Sequence, residues 1–335
     1  MMTHYKNPGI YIAVTYIVFW LGILLTGGIY LLSKNDMVMT LGTILLSWVP
    51  TIVILIFFNK LVPNANRKDW IKEAFASKIK TGMLAAVTLA FALSIVFTYI
   101  IVFNHNGDVS IIDFKTLSIS SIAFNVFYGI ITGATGEELG WRGYLQRYFE
   151  ENSNGNVIKS SLKVSFVWSF WHTPLWFVSS AGQPMDYLLN YIITFIILNI
   201  CTSVIIAICY NYCRNLFVPM WIHFIFNLFM SLVFPCFTGN FSMMEGRCWL
   251  VLFYLLIAIS FALWDKMRHR IKWQLPVWNW LDVGRNFKVK KYAAPIIGIV
   301  GLLANNAFLP LVLLYSYTDN FTDWKWTSRI FEGYN

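Results

Sequence analysis

Nine runs of about 20 mostly apolar residues occupy most of this chain, and each is long enough to cross a bilayer as a helix. They lie at residues 9–32, 38–58, 82–103, 120–141, 164–181, 187–209, 215–235, 248–265 and 295–317. Backbone amides find no water in the hydrocarbon core, so runs of this length fold as helices. Charged residues make up only 12% of the chain, about half the share in soluble domains. We therefore predict an all-α polytopic membrane protein, with residues 1–335 forming a single transmembrane domain.

The basic residues of the chain give the predicted orientation. If the N-terminus is cytoplasmic, 20 of the 25 Lys and Arg residues fall in segments on the cytoplasmic side. Such a bias marks the cytoplasmic loops of membrane proteins. We predict nine helices, with the N-terminus inside and the C-terminus outside, in a plasma membrane that the composition suggests is bacterial. The net charge of +9 then marks a membrane face and predicts no nucleic-acid partner.

Two cytoplasmic segments, 59–81 and 266–292, combine basic and aromatic residues. Such segments are typical of chains that lie along anionic lipid headgroups, although ordinary solvated loops would have the same composition. Cys236 and Cys248 flank one outside loop and could form a disulfide. The other three cysteines, at 201, 209 and 213, are expected to be packed thiols on a helix that ends on the reducing side.

Ionisable side chains interrupt three of the least apolar spans, and an ionisable group at membrane depth indicates function. The fourth span contains Glu137-Glu138-x3-Arg142, the fifth contains Trp168-x3-His172, and the seventh contains His223-x3-Asn227. Residues four apart share a helix face. We therefore expect Glu138 to pair with Arg142, His223 and Asn227 to converge, and Glu137 to face a neighbouring helix.

These polar groups are predicted to lie at a similar depth. At 1.5 Å per residue, His172 and His223 lie roughly 12–13 Å from the cytoplasmic ends of their helices, and Glu137 lies one to two turns from its own. Pro174 is expected to bend the helix near His172, because proline cannot donate the backbone hydrogen bond of the preceding turn. The depth match predicts one shared site near the cytoplasmic side.

The residue types in this site fit peptide-bond hydrolysis. A carboxylate beside a His can deprotonate water and return the proton to the leaving amine, and a His with an Asn amide can stabilise an oxyanion. The same Glu137, His172 and His223 would also serve as a catalytic zinc set with an open position for water. The residues alone leave both mechanisms open.

At these three motifs the chain resembles the type II CAAX prenyl endopeptidase and bacteriocin-processing family, the CPBP intramembrane proteases. The resemblance covers roughly residues 120–232, with Trp168 where the family usually has Phe. It implies a central conical catalytic bundle, a site that opens toward the cytosolic face, and a membrane protein or peptide as substrate. It also implies that Glu137 and His172 activate water, that His223 and Asn227 hold the oxyanion, and that Glu138 and Arg142 support them.

Two other functions compete with an endopeptidase. A non-catalytic membrane immunity or scaffold protein could retain the same residues, although none of the catalytic positions is eroded here. A transporter would be expected to show paired, interrupted helices in two related halves, and the sequence shows no such internal symmetry.

Overall fold

The structure, a computed structural model, describes residues 5–106 and 119–271, and all regular elements in these two ranges are helical. The first range contains α1 Pro8–Ser33, α2 Asp36–Ser47, α3 Val49–Ile56, α4 Phe58–Leu61, α5 Arg67–Ala74 and α6 Thr81–Asn106. The second contains α7 Ile119–Gly129, α8 Gly136–Glu138, α9 Gln146–Glu151, α10 Val157–Trp171, α11 Thr173–Ser179, α12 Met185–Cys213, α13 Phe217–Val233 and α14 Asn240–Ile271. Wider π-helical turns at Ile130–Thr135 and Leu139–Leu145 flank α8, and a 3-10 turn at Phe234–Cys236 follows α13.

Six stretches of the described residues are long and apolar enough to cross a membrane. They are Pro8–Ser33, Asp36–Ile56, Thr81–His105, Met185–Cys213, Phe217–Cys236 and Asn240–Arg268. They coincide with the first, second, third, sixth, seventh and eighth predicted spans, so the all-α polytopic fold is confirmed. The fourth and fifth predicted spans form shorter, interrupted helices. The ninth lies outside the described residues, and the count of nine stays a prediction.

Large apolar side chains cover the outer faces of these helices. On α1, Leu24 is 68% exposed and Leu32 is 90% exposed, and α6 and α14 carry similar residues. A water-soluble protein rarely exposes such continuous apolar surface. These faces are therefore suited to contact with lipid tails.

The interior consists of two large apolar clusters. One joins α6, α12, α13 and α14 around residues such as Phe91, Ile205 and Tyr254. The other joins α1, α3, α10 and the turn Leu139–Leu145 around residues such as Tyr11 and Trp141. Because α12 packs against both α10 and α14, and α13 packs against both α6 and the turn Ile130–Thr135, α12 and α13 lie between the two clusters. The predicted site residues lie along this boundary.

The predicted interfacial segment 59–81 contains α5, whose Lys68 and Lys72 are exposed. Trp70 is instead 6% exposed: its ring packs on Phe58 and its indole N–H donates to the Tyr5 hydroxyl. This aromatic residue therefore belongs to the protein interior, and membrane binding by α5 stays a prediction that depends on its lysines. Of the segment 266–292, residues 272–292 lie outside the described residues.

Cys236 and Cys248 both lie within the described residues, and no disulfide joins them there. Cys236 is buried beside the 3-10 turn, whereas Cys248 is exposed on α14. The three cysteines of α12 are buried, as expected for packed thiols.

Candidate active site

The helix that leads to the two glutamates breaks at Thr132 and Gly133. Thr132 has the extended angles φ −82° and ψ 135°, and Gly133 has φ +69°, a conformation that glycine adopts without a Cβ clash. An ideal Cβ on Gly133 would lie 2.8 Å from His223 Nε2 and 3.1 Å from Asn227 Nδ2. The break therefore lets the backbone lie directly against the side chains of α13.

Glu137 is held by two tryptophans. Its Oε2 accepts hydrogen bonds from the indole N–H of Trp141 at 3.0 Å and from that of Trp168 at 2.7 Å. The side chain is buried, with 4% of its surface exposed. Both indoles use the same oxygen, which leaves Oε1 as the carboxylate oxygen that can accept a proton from another molecule.

Glu138 links two of the three motifs. Its Oε1 accepts from Arg142 Nη1 at 3.0 Å and from His223 Nδ1 at 2.7 Å. Arg142 also lies 4.5 Å from the centre of the Trp168 ring and donates to Ser203 Oγ on α12. Glu138 and Arg142 are both fully buried. Either charge alone would carry a large desolvation cost at this position, and the ion pair compensates both.

His172 lies where α10 ends and α11 begins. Its φ of −78° and ψ of 0° interrupt the helix, and Pro174 follows at the start of α11, as its position in the sequence predicts. His172 Nδ1 lies 2.8 Å from the backbone carbonyl of Trp168. Because a carbonyl only accepts hydrogen bonds, Nδ1 carries the proton and Nε2 is an acceptor.

His223 and Asn227 are buried side by side on α13. With Nδ1 directed at the Glu138 carboxylate, the second nitrogen of His223, Nε2, faces the helix break beside Asn227 Nδ2. The Asn227 amide is a donor in every protonation state. The contact of Nδ1 with Glu138 at 2.7 Å holds the His223 ring in this orientation.

A cavity of about 110 Å³ connects these groups. Its polar lining includes Glu137, His172, His223 and Asn227. Most of the remaining lining is aromatic or aliphatic, including Phe19, Tyr128, Trp168, Trp171, Leu175, Phe195, Phe226 and Met230. Glu137 and His172 thus present proton acceptors, and Asn227 presents a donor, into one largely apolar space.

Glu137, His172 and His223 are also the three side chains of the predicted zinc set. Within the part of the chain that the structure describes, no three His, Cys, Asp or Glu side chains are grouped closely enough to hold a metal ion. Glu137, His172 and His223 share the cavity but do not form such a group. The mechanism proposed below therefore uses no metal, and the zinc set stays a prediction.

Every site residue predicted from the sequence lies at or beside this cavity. Glu138 pairs with Arg142 and Glu137 faces α10, as the spacing predicts. Sequence reasoning missed the contact between Glu138 and His223, and it missed Trp141, although the separation of four residues from Glu137 was a usable signal. It also assigned no role in the site to Gly133. The catalytic roles themselves stay predictions.

Comparison with known proteins gives two matches. The family model "Type II CAAX prenyl endopeptidase Rce1-like" matches residues 119–229. The chain is also similar to "CAAX prenyl protease 2" of Methanococcus maripaludis, with 28% identity over 284 residues, which is 79% of this chain and 97% of the relative. The matches confirm the resemblance inferred from the three motifs and support a membrane-embedded endopeptidase. The matched region contains all seven motif residues.

Proposed function

We propose that this protein is an intramembrane endopeptidase whose water is activated by Glu137 and His172 and whose oxyanion is stabilised by His223 and Asn227. The observation that carries the proposal is the arrangement of one cavity, in which two proton acceptors and an amide donor line the same apolar space. Hydrolysis of an amide needs both kinds of group within reach of one carbonyl.

The reaction follows from these positions. A water between Glu137 Oε1 and His172 Nε2 gives a proton to the carboxylate, and its oxygen attacks the substrate carbonyl carbon. The carbonyl oxygen becomes an oxyanion and accepts hydrogen bonds from Asn227 Nδ2 and from the protonated Nε2 of His223. As the C–N bond breaks, Glu137 returns the proton to the leaving amine. A low-dielectric cavity strengthens each of these interactions.

Trp141 and Trp168 have a positioning role in this scheme. Their indoles fix the Glu137 carboxylate from one side and stabilise its charged form without neutralising it. Glu138 holds the His223 ring in position, and Arg142 balances the charge of Glu138. Residues 120–232 form the catalytic core in this proposal.

The substrate is a membrane-associated or lipidated protein or peptide, cut near the cytosolic face. The apolar cavity wall favours apolar side chains near the scissile bond. The relative's name supplies a specific candidate, a prenylated tail that ends in a CAAX sequence. We place the N-terminus in the cytoplasm and the C-terminus outside, with the basic segments 59–81 and 266–292 against anionic headgroups.

The test uses the full-length protein in nanodiscs and a farnesylated peptide that ends in Cys-aliphatic-aliphatic-X. Wild type is expected to cleave it, and Glu137→Gln to lower the cleavage rate about 10²–10⁴-fold, the usual contribution of a general base. Glu73→Gln, which removes an exposed carboxylate of α5, is the matched control and should cleave as wild type does.

Cleavage by Glu137→Gln at the wild-type rate would contradict the proposal. The competing function, a non-catalytic immunity or scaffold protein, predicts that neither protein cuts any substrate. Membrane proteomes of cells with wild type, Glu137→Gln or no protein distinguish the two. An endopeptidase leaves the same uncut precursors in the last two strains, whereas a scaffold leaves none.

A further inference from the structure

The cavity has a second polar region on the wall formed by α12 and α14, which the mechanism above does not use. Along α12, Tyr191, Phe195 and Asn199 follow each other at four-residue spacing and all line the cavity. Such spacing places side chains on one helix face. Arg247 of α14 completes this wall.

Arg247 is a guanidinium buried inside the protein, with 3% of its surface exposed. It lies 5.1 Å from the centre of the Tyr187 ring and 4.3 Å from that of Tyr191, and it donates to the Tyr187 hydroxyl at 3.3 Å. These contacts fix the side chain in one place. An ionisable group inside a membrane protein is a candidate functional residue, and this one lies on the wall of the cavity. It also lies beyond the residues matched by the family model.

A continuous row of ring contacts leads from Arg247 to the catalytic His172. Tyr191, which Arg247 covers, lies 5.7 Å from Phe195 between ring centres. Phe195 in turn lies 5.2 Å from His172. An extended peptide advances roughly 3.3–3.6 Å per residue. The guanidinium is therefore only a few substrate residues from the scissile bond.

Asn199 supplies a second polar group on the same wall. It is 3% exposed, and its amide nitrogen has no hydrogen-bond partner among the described residues. A buried amide without a partner is costly. A ligand inside the cavity would satisfy this donor, so the wall combines a cation with an unused N–H group.

We propose that Arg247, assisted by Asn199, binds a carboxylate of the substrate and thereby determines which peptides are cut. Arginine binds carboxylates through two parallel hydrogen bonds, which gives both affinity and direction. The carboxylate can come from the free C-terminus of the peptide or from an acidic side chain a few residues from the cut. The inference rests on the proposed function and adds a specificity-determining residue to it.

The experiment compares three farnesylated peptides with the same sequence around the cut. The first ends in a free acid, the second in an amide, and the third in an amidated glutamate. Cleavage and equilibrium binding are both measured in nanodiscs, with binding measured on Glu137→Gln so that the peptide stays intact. Each measurement compares four proteins: the one without a further substitution, Arg247→Gln, Arg247→Lys and Arg268→Gln.

Arg268→Gln is the matched control, because Arg268 is on the same helix and also lies over a ring of α12, 4.7 Å from the centre of Tyr212. It does not line the cavity. If Arg247→Gln fails to fold, the acid and amide peptides can still be compared on the protein with Arg247 present. Arg247→Lys keeps the positive charge but removes the planar guanidinium that binds a carboxylate through two hydrogen bonds.

With Arg247 present, the acid is expected to bind and to be cut about 10–100-fold better than the amide, the range for one charge-assisted pair. Arg247→Gln should lose this preference, and Arg268→Gln should keep it. A preference for the free acid alone assigns the carboxylate to the C-terminus, and a preference for the amidated glutamate over the plain amide assigns it to a side chain. Equal binding and cleavage of all three peptides, or a preference for a carboxylate that survives in folded Arg247→Gln, would overturn the inference.

The readouts separate the two proposals. Cleavage without any acid preference leaves the endopeptidase proposal standing and removes this one. If the acid peptide is bound preferentially and this preference depends on Arg247, but wild type cleaves no peptide, this inference stands and the endopeptidase proposal is contradicted. A protein that neither binds nor cuts any of the peptides contradicts both.

Discussion

Glu138 holds the imidazole of His223: the carboxylate Oε1 lies 2.7 Å from Nδ1, across 85 residues of sequence. The same oxygen accepts a hydrogen bond from Arg142. The second glutamate of the pair is therefore more than the counter-ion of an arginine one turn away. It fixes the orientation of the His223 ring, with Nδ1 toward Glu138 and Nε2 toward the helix break at Gly133.

We predict that Glu138→Gln lowers both stability and activity. The amide keeps the shape of the side chain but leaves Arg142 as an uncompensated buried charge, which typically costs about 3–5 kcal/mol. It also weakens the hold on His223, so the cleavage rate should fall. Thermal unfolding and peptide cleavage, each measured in nanodiscs, give the two effects.

Glu150→Gln is the control for this prediction. Glu150 also pairs with arginines, Arg147 and Arg214, but these are 26% and 40% exposed, and the group does not line the cavity. Its replacement should cost less stability than that of Glu138, because both arginines remain partly exposed to solvent, and it should leave the cleavage rate unchanged. A Glu138→Gln protein as stable and as active as this control would contradict the assignment.

Trp168→Phe is predicted to reduce activity although Phe is the usual residue of the resembled family at this position. In this chain the indole N–H makes the shorter of the two hydrogen bonds to Glu137. Phe keeps a ring against Arg142 and His223 but removes this donor, whose loss is worth about 1.5–3 kcal/mol because its partner is charged. The cleavage rate should fall about 10–100-fold.

Trp141→Phe removes the other donor to the same oxygen, and it should have a similar effect on the rate. The double variant should lose more activity than either single one, because Glu137 then has no indole to fix it. Wild-type kinetics in Trp168→Phe would show that the indole only fills space.

Gly133→Ala is predicted to abolish activity by displacing the groups that hold the oxyanion. The added Cβ would lie closer to His223 Nε2 than real contacts allow, and an alanine at φ +69° is strained by about 1–2 kcal/mol. Gly129→Ala is the matched control four residues earlier, where the nearest atom to a new Cβ is 3.4 Å away, on Phe224. Cleavage assays on both variants decide the point: equal activity would mean that the break at Gly133 does not position His223 and Asn227.

The sequence predicted the elements that depend on local pattern. The six long helices follow from the length of their apolar runs, the pair of Glu138 with Arg142 follows from helical spacing, and the break beside His172 follows from Pro174. What it could not predict depends on neighbours distant in the chain. The bond between Glu138 and His223 is one such contact. Another is the position of Arg247 on the cavity wall, which depends on how α14 packs against α12.

Cleavage is predicted to need no bound metal ion. Since Glu137, His172 and His223 are not grouped closely enough in the structure to hold a metal ion together, the scheme predicts full cleavage by protein treated with 1,10-phenanthroline. Elemental analysis of the treated protein should show metal far below one equivalent while the rate stays unchanged. The non-chelating isomer 1,7-phenanthroline controls for simple occupation of the apolar cavity by an aromatic molecule. Activity lost only with the chelating isomer and restored by added Zn²⁺ would contradict the glutamate mechanism, because it would require the three side chains to close around a metal in the working enzyme.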